Sequence, residues 1–159
     1  MTFIRTACAA AVVIALGQPA LALEAKKQIK IDAKLDAVWK VIGDFCGIGE
    51  WHPAVEKCEL STKDGAQYRT LSLKGGGVVL EKLIEWNDTK SKYTYTIEDG
   101  PLPVSDYQST FDAKEKDGKT VIVWKGTFLA KGETDVKAIE VMEGIYEAGL
   151  KGIKKKVKG

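Results

Sequence analysis

A run of short strand-forming segments separated by turn sequences occupies the middle of the chain, from about residue 55 to residue 130. The segments are rich in Val, Ile, Thr, Tyr and Trp, which favour the pleated surface of a sheet. Short turns join antiparallel strands, because parallel neighbours need a long crossover connection. We therefore predict an antiparallel meander of about six strands. The turn sequences lie at residues 63–66, 74–77, 87–91, 98–103 and 116–119.

A strand and an amphipathic helix precede this meander. The strand is predicted over residues 27–32, and glycines from Gly43 onward break or bend the helix that follows it. The apolar residues at helical spacing are Val38, Trp39, Ile42 and Phe45.

A long helix over residues 134–157 follows the meander and completes an α+β fold. A curved antiparallel sheet must cover its concave face, and this helix is the available cover. If the sheet bends strongly, a cavity remains between sheet and helix, and such cavities are common ligand sites. The apolar face of the helix carries Ile139, Met142, Tyr146, Ile153 and Val157.

The first 22 residues have the order of a secretory signal peptide. One basic residue, Arg5, precedes a short apolar run and the small-residue pattern Ala20-Leu21-Ala22. An uncleaved anchor is the alternative, but the run is shorter than the about 20 residues of a membrane span. Cleavage after Ala22 leaves residues 23–159, with 23 basic and 22 acidic residues and a net charge of +1. This balance predicts no nucleic-acid partner.

Cys46 and Cys58 flank His52, the single histidine of the chain, with five residues on each side. A metal site, a catalytic Cys–His pair and a disulfide are the alternatives. A zinc site usually has four ligands, and these residues provide three. After cleavage the exported chain keeps two cysteines, and this even number favours the disulfide. His52 follows Trp51, and both are predicted either to pack beside each other in a loop or to contact a ligand.

The Asp117-Gly118 turn sets the register of the last hairpin. Counting outward from it pairs Phe111 with Trp124 and Tyr107 with Phe128 on one face of the sheet. The other face is polar, so these aromatic residues point inward. They form either an ordinary apolar core or the wall of a pocket, and the buried hydroxyls on this face favour the pocket.

The turn at residues 74–77 brings Arg69 and Glu81 to one face of the sheet. A three-residue loop centred on Gly75 places them opposite each other. On an outer face such a pair stabilises by less than about 1 kcal/mol. On an inner face its burial costs several kcal/mol per ion, which favours a role in chemistry or recognition. Periodicity leaves both orientations open, because the opposite face is also apolar.

Four segments, residues 38–60, 68–88, 92–111 and 120–128, resemble the polyketide cyclase/dehydrase and lipid-transport group of the START-like, pollen-allergen-like superfamily. The resemblance implies a single helix-grip domain over residues 23–159. In this fold a seven-stranded antiparallel sheet wraps round a long C-terminal helix, two small helices follow the first strand, and a cavity lies inside. Members include carriers, hormone receptors and cyclases.

Within this group the segments are also similar to plant lachrymatory-factor synthases. In these proteins an arginine and a glutamate on consecutive strands face the cavity, and two tyrosines follow. Arg69, Glu81, Tyr95 and Tyr107 occupy these positions here, which implies an inward Arg69–Glu81 pair. The shorter spacing of this pair, the signal peptide and the cysteines depart from the plant proteins. The resemblance therefore does not extend to the plant reaction.

These features predict an exported protein that holds an amphipathic or anionic molecule in its cavity. Arg69 would pair with a carboxylate or oxyanion, and Glu81 would hold Arg69 in place. As an enzyme, the protein would be a cofactor-independent cyclase, isomerase or dehydratase with Glu81 as general acid or base. The residues expected to orient or surround the ligand are Trp51, His52, Tyr95, Tyr107, Phe111, Trp124 and Phe128.

The alternative is a non-enzymatic accessory protein that docks on a periplasmic redox enzyme, through the loop at residues 51–53. The resemblance extends to accessory proteins of bacterial methanol oxidation, which implies such a partner. In either case we expect a periplasmic or secreted protein without stable membrane insertion. The sequence has no phosphate-binding glycine loop and no haem motif, so we expect neither a cofactor nor a metal.

Overall fold

Seven antiparallel strands form one sheet in the computed structural model, which describes residues 21–159. The predicted signal peptide therefore lies outside the described residues, apart from its last two positions. The elements in chain order are β1 (Leu23–Ile31), α1 (Leu35–Ile42), α2 (Ile48–Trp51), β2 (Val55–Lys63), β3 (Ala66–Leu73), β4 (Val78–Asn87), β5 (Lys92–Asp99), β6 (Val104–Lys116), β7 (Lys119–Ala130) and α3 (Asp135–Lys158).

The strand order is β1-β7-β6-β5-β4-β3-β2, so the first strand adds to the meander as an edge strand beside β7. β1 pairs with β7 along its whole length, from Leu23 opposite Phe128 to Ile31 opposite Thr120. This pairing makes β1 longer than the predicted strand over residues 27–32. The predicted α+β helix-grip fold, with seven strands, two small helices and a long C-terminal helix, is confirmed.

The register of the β6–β7 hairpin agrees with the sequence prediction near its turn. Asp117 and Gly118 both have positive φ, at 54° and 69°, as a type I′ hairpin turn requires. Phe111 pairs with Trp124, and both side chains are buried. The predicted pairing of Tyr107 with Phe128 is altered by a register shift between residues 105 and 108 of β6. These two rings still face inward, with centroids 6.2 Å apart.

α3 covers the concave face of the sheet. Its first residue is capped by Thr134, whose side-chain oxygen accepts a hydrogen bond from the Lys137 backbone at 3.3 Å. Ile139 and Val157, predicted on the apolar face, are partly buried, whereas the residues at its centre are fully covered. The buried residues of α3 are Ala138, Met142, Tyr146, Gly149, Leu150 and Ile153.

Two glycines let α3 approach the end of α2 and the loop after it at backbone distance. A Cβ atom at Gly152 would lie 1.9 Å from the Trp51 carbonyl oxygen, and one at Gly149 would lie 2.7 Å from the His52 ring. Any side chain at these positions would push the helix away from the loop. The glycines therefore fix Trp51 and His52 against the C-terminal half of α3.

A disulfide joins Cys46, between α1 and α2, to Cys58 on the edge strand β2, with the two Cα atoms 5.6 Å apart. This confirms the predicted bridge. α1 ends at Ile42, because Gly43 has a φ of 74°, so Phe45 lies beyond the helix to which it was assigned. Phe45 is nonetheless buried. No helix in residues 21–159 is long and apolar enough to cross a membrane.

We expect Gly152→Ala to lower the free energy of unfolding by about 1–3 kcal/mol, because the added methyl group overlaps the Trp51 carbonyl. Gly144→Ala is the matched control in the same helix, since a methyl group there would meet no other element of the fold within 4 Å. The control should stabilise α3 by up to about 1 kcal/mol. Urea unfolding of both variants measures the difference, and equal effects would contradict the close approach.

Candidate functional site

Arg69 on β3 and Glu81 on β4 are direct cross-strand neighbours on the concave face of the sheet. Their residues are only 1% and 5% exposed, so the predicted inward orientation is confirmed. The three-glycine turn sets this register, because Gly75, Gly76 and Gly77 all have positive φ. The chemical role of the pair stays a prediction.

The guanidinium group of Arg69 is held on several sides. Its Nε donates a hydrogen bond to Glu81 Oε2, and its Nη1 donates one to the Phe45 carbonyl oxygen at 2.5 Å. The guanidinium carbon lies 4.1 Å from the Phe45 ring centroid and 5.0 Å from that of Tyr95. Nη2 has no hydrogen-bond partner within residues 21–159. Arg69 is also the single arginine of residues 21–159, in which the other cationic side chains are lysines.

Glu81, rather than Arg69, lines the internal cavity. Its Oε2 accepts from Arg69, and its Oε1 accepts no hydrogen bond from any described residue. Burial raises the pKa of the Glu81 carboxyl, and the charge and hydrogen bond of Arg69 offset this only in part. The sequence predicted that Arg69 would meet the ligand and that Glu81 would hold it. In the structure Glu81 faces the cavity and Arg69 lies behind it, because Phe45 and Tyr95 enclose the guanidinium.

The cavity lies between the inner face of the sheet and α3 and has a volume of about 80 Å³. Most small-molecule sites enclose roughly 300–1,000 Å³, so this cavity suits a molecule of few atoms or one end of a larger one. Its lining is Ile48, His52, Ala54, Val55, Leu71, Leu73, Val79, Glu81, Tyr95, Ile97, Leu102, Tyr107, Trp124, Met142, Ile145 and Tyr146.

Three tyrosine hydroxyls form a chain along this cavity. The hydroxyls of Tyr95 and Tyr107 are 3.3 Å apart, and those of Tyr107 and Tyr146 are 2.6 Å apart. Trp124 Nε1 donates to the Tyr95 hydroxyl at 3.1 Å. The three hydroxyl groups have three hydrogens, and the two hydrogen bonds between them use only two. One hydroxyl hydrogen therefore remains available to an acceptor in the cavity.

Burial keeps these hydroxyls protonated. It raises the pKa of Tyr146 to about 12 and the pKa values of Tyr95 and Tyr107 well above their ordinary value. Gly126 makes the arrangement sterically feasible, because a Cβ atom there would lie 2.2 Å from the Tyr146 hydroxyl. The three tyrosines therefore present neutral hydrogen-bond donors.

His52 is a fixed, neutral part of the wall. Its Nδ1 accepts from the Ala54 backbone at 3.2 Å, so its Nε2 carries the hydrogen and donates to the Ile145 carbonyl oxygen at 3.1 Å. Burial lowers the pKa of this imidazole. With both nitrogens engaged, His52 is not placed to exchange protons. Residues 21–159 contain no cluster of three His, Cys, Asp or Glu suited to a metal ion.

The structure divides the predicted site residues into two groups. His52, Glu81, Tyr95, Tyr107 and Trp124 line the cavity. The other group lies outside this lining and packs in the core around it: Trp51, Arg69, Phe111 and Phe128.

Tyr146 was identified from the sequence only as a residue on the apolar face of α3. Its hydroxyl could have been recognised as functional from Gly126 on the facing strand, since a glycine among inward aromatic residues marks a close approach.

We expect Arg69→Leu to destabilise the fold by about 3–5 kcal/mol, because it leaves the Glu81 carboxyl buried without its partner. Lys125→Leu is the matched control, since Lys125 makes a half-exposed ion pair with Glu24 on the outer face. The control should cost less than about 1 kcal/mol. Thermal melts that shift equally for both variants would contradict the buried pair.

The pKa of Glu81 predicts a pH dependence of stability. The folded protein binds the Glu81 proton more tightly than the unfolded chain, whose ordinary value is 4.5. This carboxyl therefore contributes stability that is complete below pH 4.5 and is lost as the pH rises through the raised pKa.

The difference in unfolding free energy between the wild type and Glu81→Gln isolates this contribution. It should decline as the pH increases above 4.5 and then level off. Urea unfolding over a pH series measures it. A difference that grows with pH would show that Arg69 lowers the pKa of this carboxyl instead.

Comparison with known proteins identifies the same architecture elsewhere. The family model described as polyketide cyclase/dehydrase and lipid transport matches residues 22–158. The structure of the protein XoxI from Bacillus cereus is 31% identical with a TM-score of 0.80, covering 85% of this chain and 95% of that one. An uncharacterised protein from Bacillus thuringiensis is 30% identical with a TM-score of 0.79, covering 86% and 99%.

The Zhui aromatase/cyclase from Streptomyces sp. R1128 shares the fold, with a TM-score of 0.70 at 19% identity, covering 87% of this chain and 94% of that one. No curated protein is significantly similar to the chain. The fold is a type that binds hydrophobic molecules. Because the family model extends over almost all of the described residues, the chain belongs to the polyketide cyclase/dehydrase and lipid-transport family.

Proposed function

We propose that the internal cavity binds a small carbonyl compound, or the uncharged carbonyl-bearing end of a larger molecule, and that the protein moves a proton on it. The observation that carries this proposal is the position of Glu81, whose free Oε1 belongs to a carboxyl that lines the cavity. Burial raises the pKa of this carboxyl towards the range in which general acids and bases work best. Arg69 lies behind Glu81, so a ligand anion gains no direct contact with the guanidinium in this arrangement.

The proposed reaction needs no group other than those of the chain. Glu81 Oε1 removes a proton from the carbon next to the ligand carbonyl, the electron pair of that C–H bond forms a carbon–carbon double bond, and the π electron pair of the carbonyl moves to its oxygen. A tyrosine hydroxyl from the chain at Tyr95, Tyr107 and Tyr146 donates a hydrogen bond to the developing enolate. Glu81 then returns the proton to the same carbon or to another. The outcome is exchange, isomerisation or a step in cyclisation or dehydration.

Arg69 supports this reaction from outside the cavity. Its charge and its hydrogen bond to Oε2 stabilise the ionised form of the Glu81 carboxyl, which burial disfavours. The enclosing rings of Phe45 and Tyr95 fix the guanidinium plane, so Oε1 has a defined direction. Arg69 is thus a positioning residue for Glu81.

Deuterium exchange into cyclopentanone tests the proposal. This ketone is small and enolisable, and proton NMR in D₂O follows the loss of its α-hydrogens. We expect the wild type to accelerate exchange and Glu81→Gln to abolish the acceleration, because the amide cannot accept the proton. Binding, measured by chemical-shift changes in the cavity, should remain in this variant. Exchange at the same rate with both proteins would contradict proton transfer by Glu81.

We also propose that the protein is exported and cleaved after Ala22. The Cys46–Cys58 disulfide supports this location, because such bridges persist in oxidising compartments. N-terminal sequencing of the protein from its native host should begin at Leu23. Peptide mapping without reductant should find both cysteines protected from iodoacetamide. An intact Met1, with Cys46 and Cys58 both alkylated, would contradict export.

An accessory role on a periplasmic redox enzyme is the second candidate function. The observation in its favour is the small volume of the cavity, about 80 Å³. Under this alternative the cavity is a packing defect, and cyclopentanone would neither bind nor exchange. The same NMR experiment therefore separates the two candidate functions.

A further inference from the structure

β5 and β6 separate from each other halfway along the sheet. Their pairing extends from Lys92 opposite Asp112 to Thr96 opposite Gln108 and stops there. Beyond this point β5 remains paired with β4, and β6 remains paired with β7. The register shift between residues 105 and 108 includes Asp106, whose φ of 50° turns the backbone away from a regular strand. An opening in the sheet results.

A groove of about 530 Å³ occupies this opening. It shares three lining residues, Ile97, Leu102 and Tyr107, with the internal cavity. These residues therefore form the boundary between the inner cavity and the outer groove. Leu102 lies on the loop between the two strands and is half-buried, so its side chain borders both spaces.

The two spaces differ in chemistry. The cavity wall is largely apolar, whereas the groove carries three carboxylates, Glu98, Asp99 and Asp106, and one ammonium group, Lys131. The acidic excess disfavours an anion in the groove and favours a cation or an uncharged polar group. The groove is also several times larger than the cavity, so it offers room that the cavity lacks.

We propose that the groove between β5 and β6 is the entrance of the cavity and holds the outer end of an amphipathic ligand whose polar end is cationic or uncharged. The apolar or carbonyl-bearing end of this ligand passes Leu102 and reaches Glu81. The proposal rests on the proposed function, because it assumes that the cavity takes a ligand. It assigns the groove a role in selecting ligands by the charge of their polar end.

Three probes with the same hexyl chain test the selection: hexyltrimethylammonium, hexyl glucoside and hexyl sulfate. Amide chemical shifts of the ¹⁵N-labelled protein give the affinity and the location of each probe. We expect the ammonium probe to bind about tenfold more tightly than the sulfate. The carboxylates of the groove attract the ammonium group and repel the sulfate group, and each effect changes the binding free energy by a modest amount. The glucoside should lie between them. Shifts should concentrate at Ile97, Glu98 and Tyr107.

Charge reversal at the groove provides the matched variants. Glu98→Lys should reduce or reverse the preference for the ammonium probe, since Glu98 lines the groove. Glu59→Lys is the control, because it makes the same change at an exposed position of β2, outside the groove lining. Leu102→Trp should weaken binding of all three probes by filling the boundary.

Equal affinities for the three probes would overturn the proposal, as would shifts concentrated at Ala54 and Leu73, which line the cavity but not the groove. Absence of binding by all three would also overturn it. Each of these results leaves the cyclopentanone experiment on Glu81 to decide the proposed function separately.

Discussion

Placing the Arg69 guanidinium and the Glu81 carboxyl in an apolar interior removes both groups from water, at a cost of several kcal/mol per ion before their interactions are counted. The surrounding structure offsets this cost by specific contacts. Phe45 supplies a carbonyl acceptor and a ring face, and Tyr95 supplies a second face. A pair of hydrophobic residues of similar size would often stabilise a core at least as much as a buried ion pair does. The presence of a charged pair in this core therefore favours a functional explanation.

Several features of the fold meet at this pair. The glycine turn after β3 sets the cross-strand register, and the loop carrying Phe45 is tied to β2 by the Cys46–Cys58 disulfide. Opposite them, the glycines of α3 bring the helix against the loop after α2, and Tyr146 joins the hydroxyl chain. The result is a cavity with one carboxyl and neutral donors. A carbonyl compound can lose a proton to the carboxyl and accept a hydrogen bond at its oxygen from a neutral donor, so the arrangement suits proton transfer.

The sequence predicted the elements whose signals are local. The Asp117-Gly118 turn predicted the inner face of the last hairpin, because a two-residue turn fixes register over many residues. That Glu81 rather than Arg69 lines the cavity could not be predicted from the sequence. It depends on Phe45, which is distant in sequence and whose backbone orientation follows from the end of α1. The separation of β5 from β6 was also missed, because the irregular residue of β6, Asp106, has a positive φ without being a glycine that would mark the site in the sequence.

Carbon NMR titration of the Glu81 side-chain carboxyl shows whether burial raises the pKa of this group. The signal can be assigned from its loss in Glu81→Gln, and its shift against pH gives the pKa without a ligand. We expect a midpoint above the ordinary value of 4.5, since burial in the cavity wall outweighs the attraction of Arg69. A midpoint at or below 4.5 would contradict this expectation, because Glu81 would then be a permanently ionised partner of Arg69.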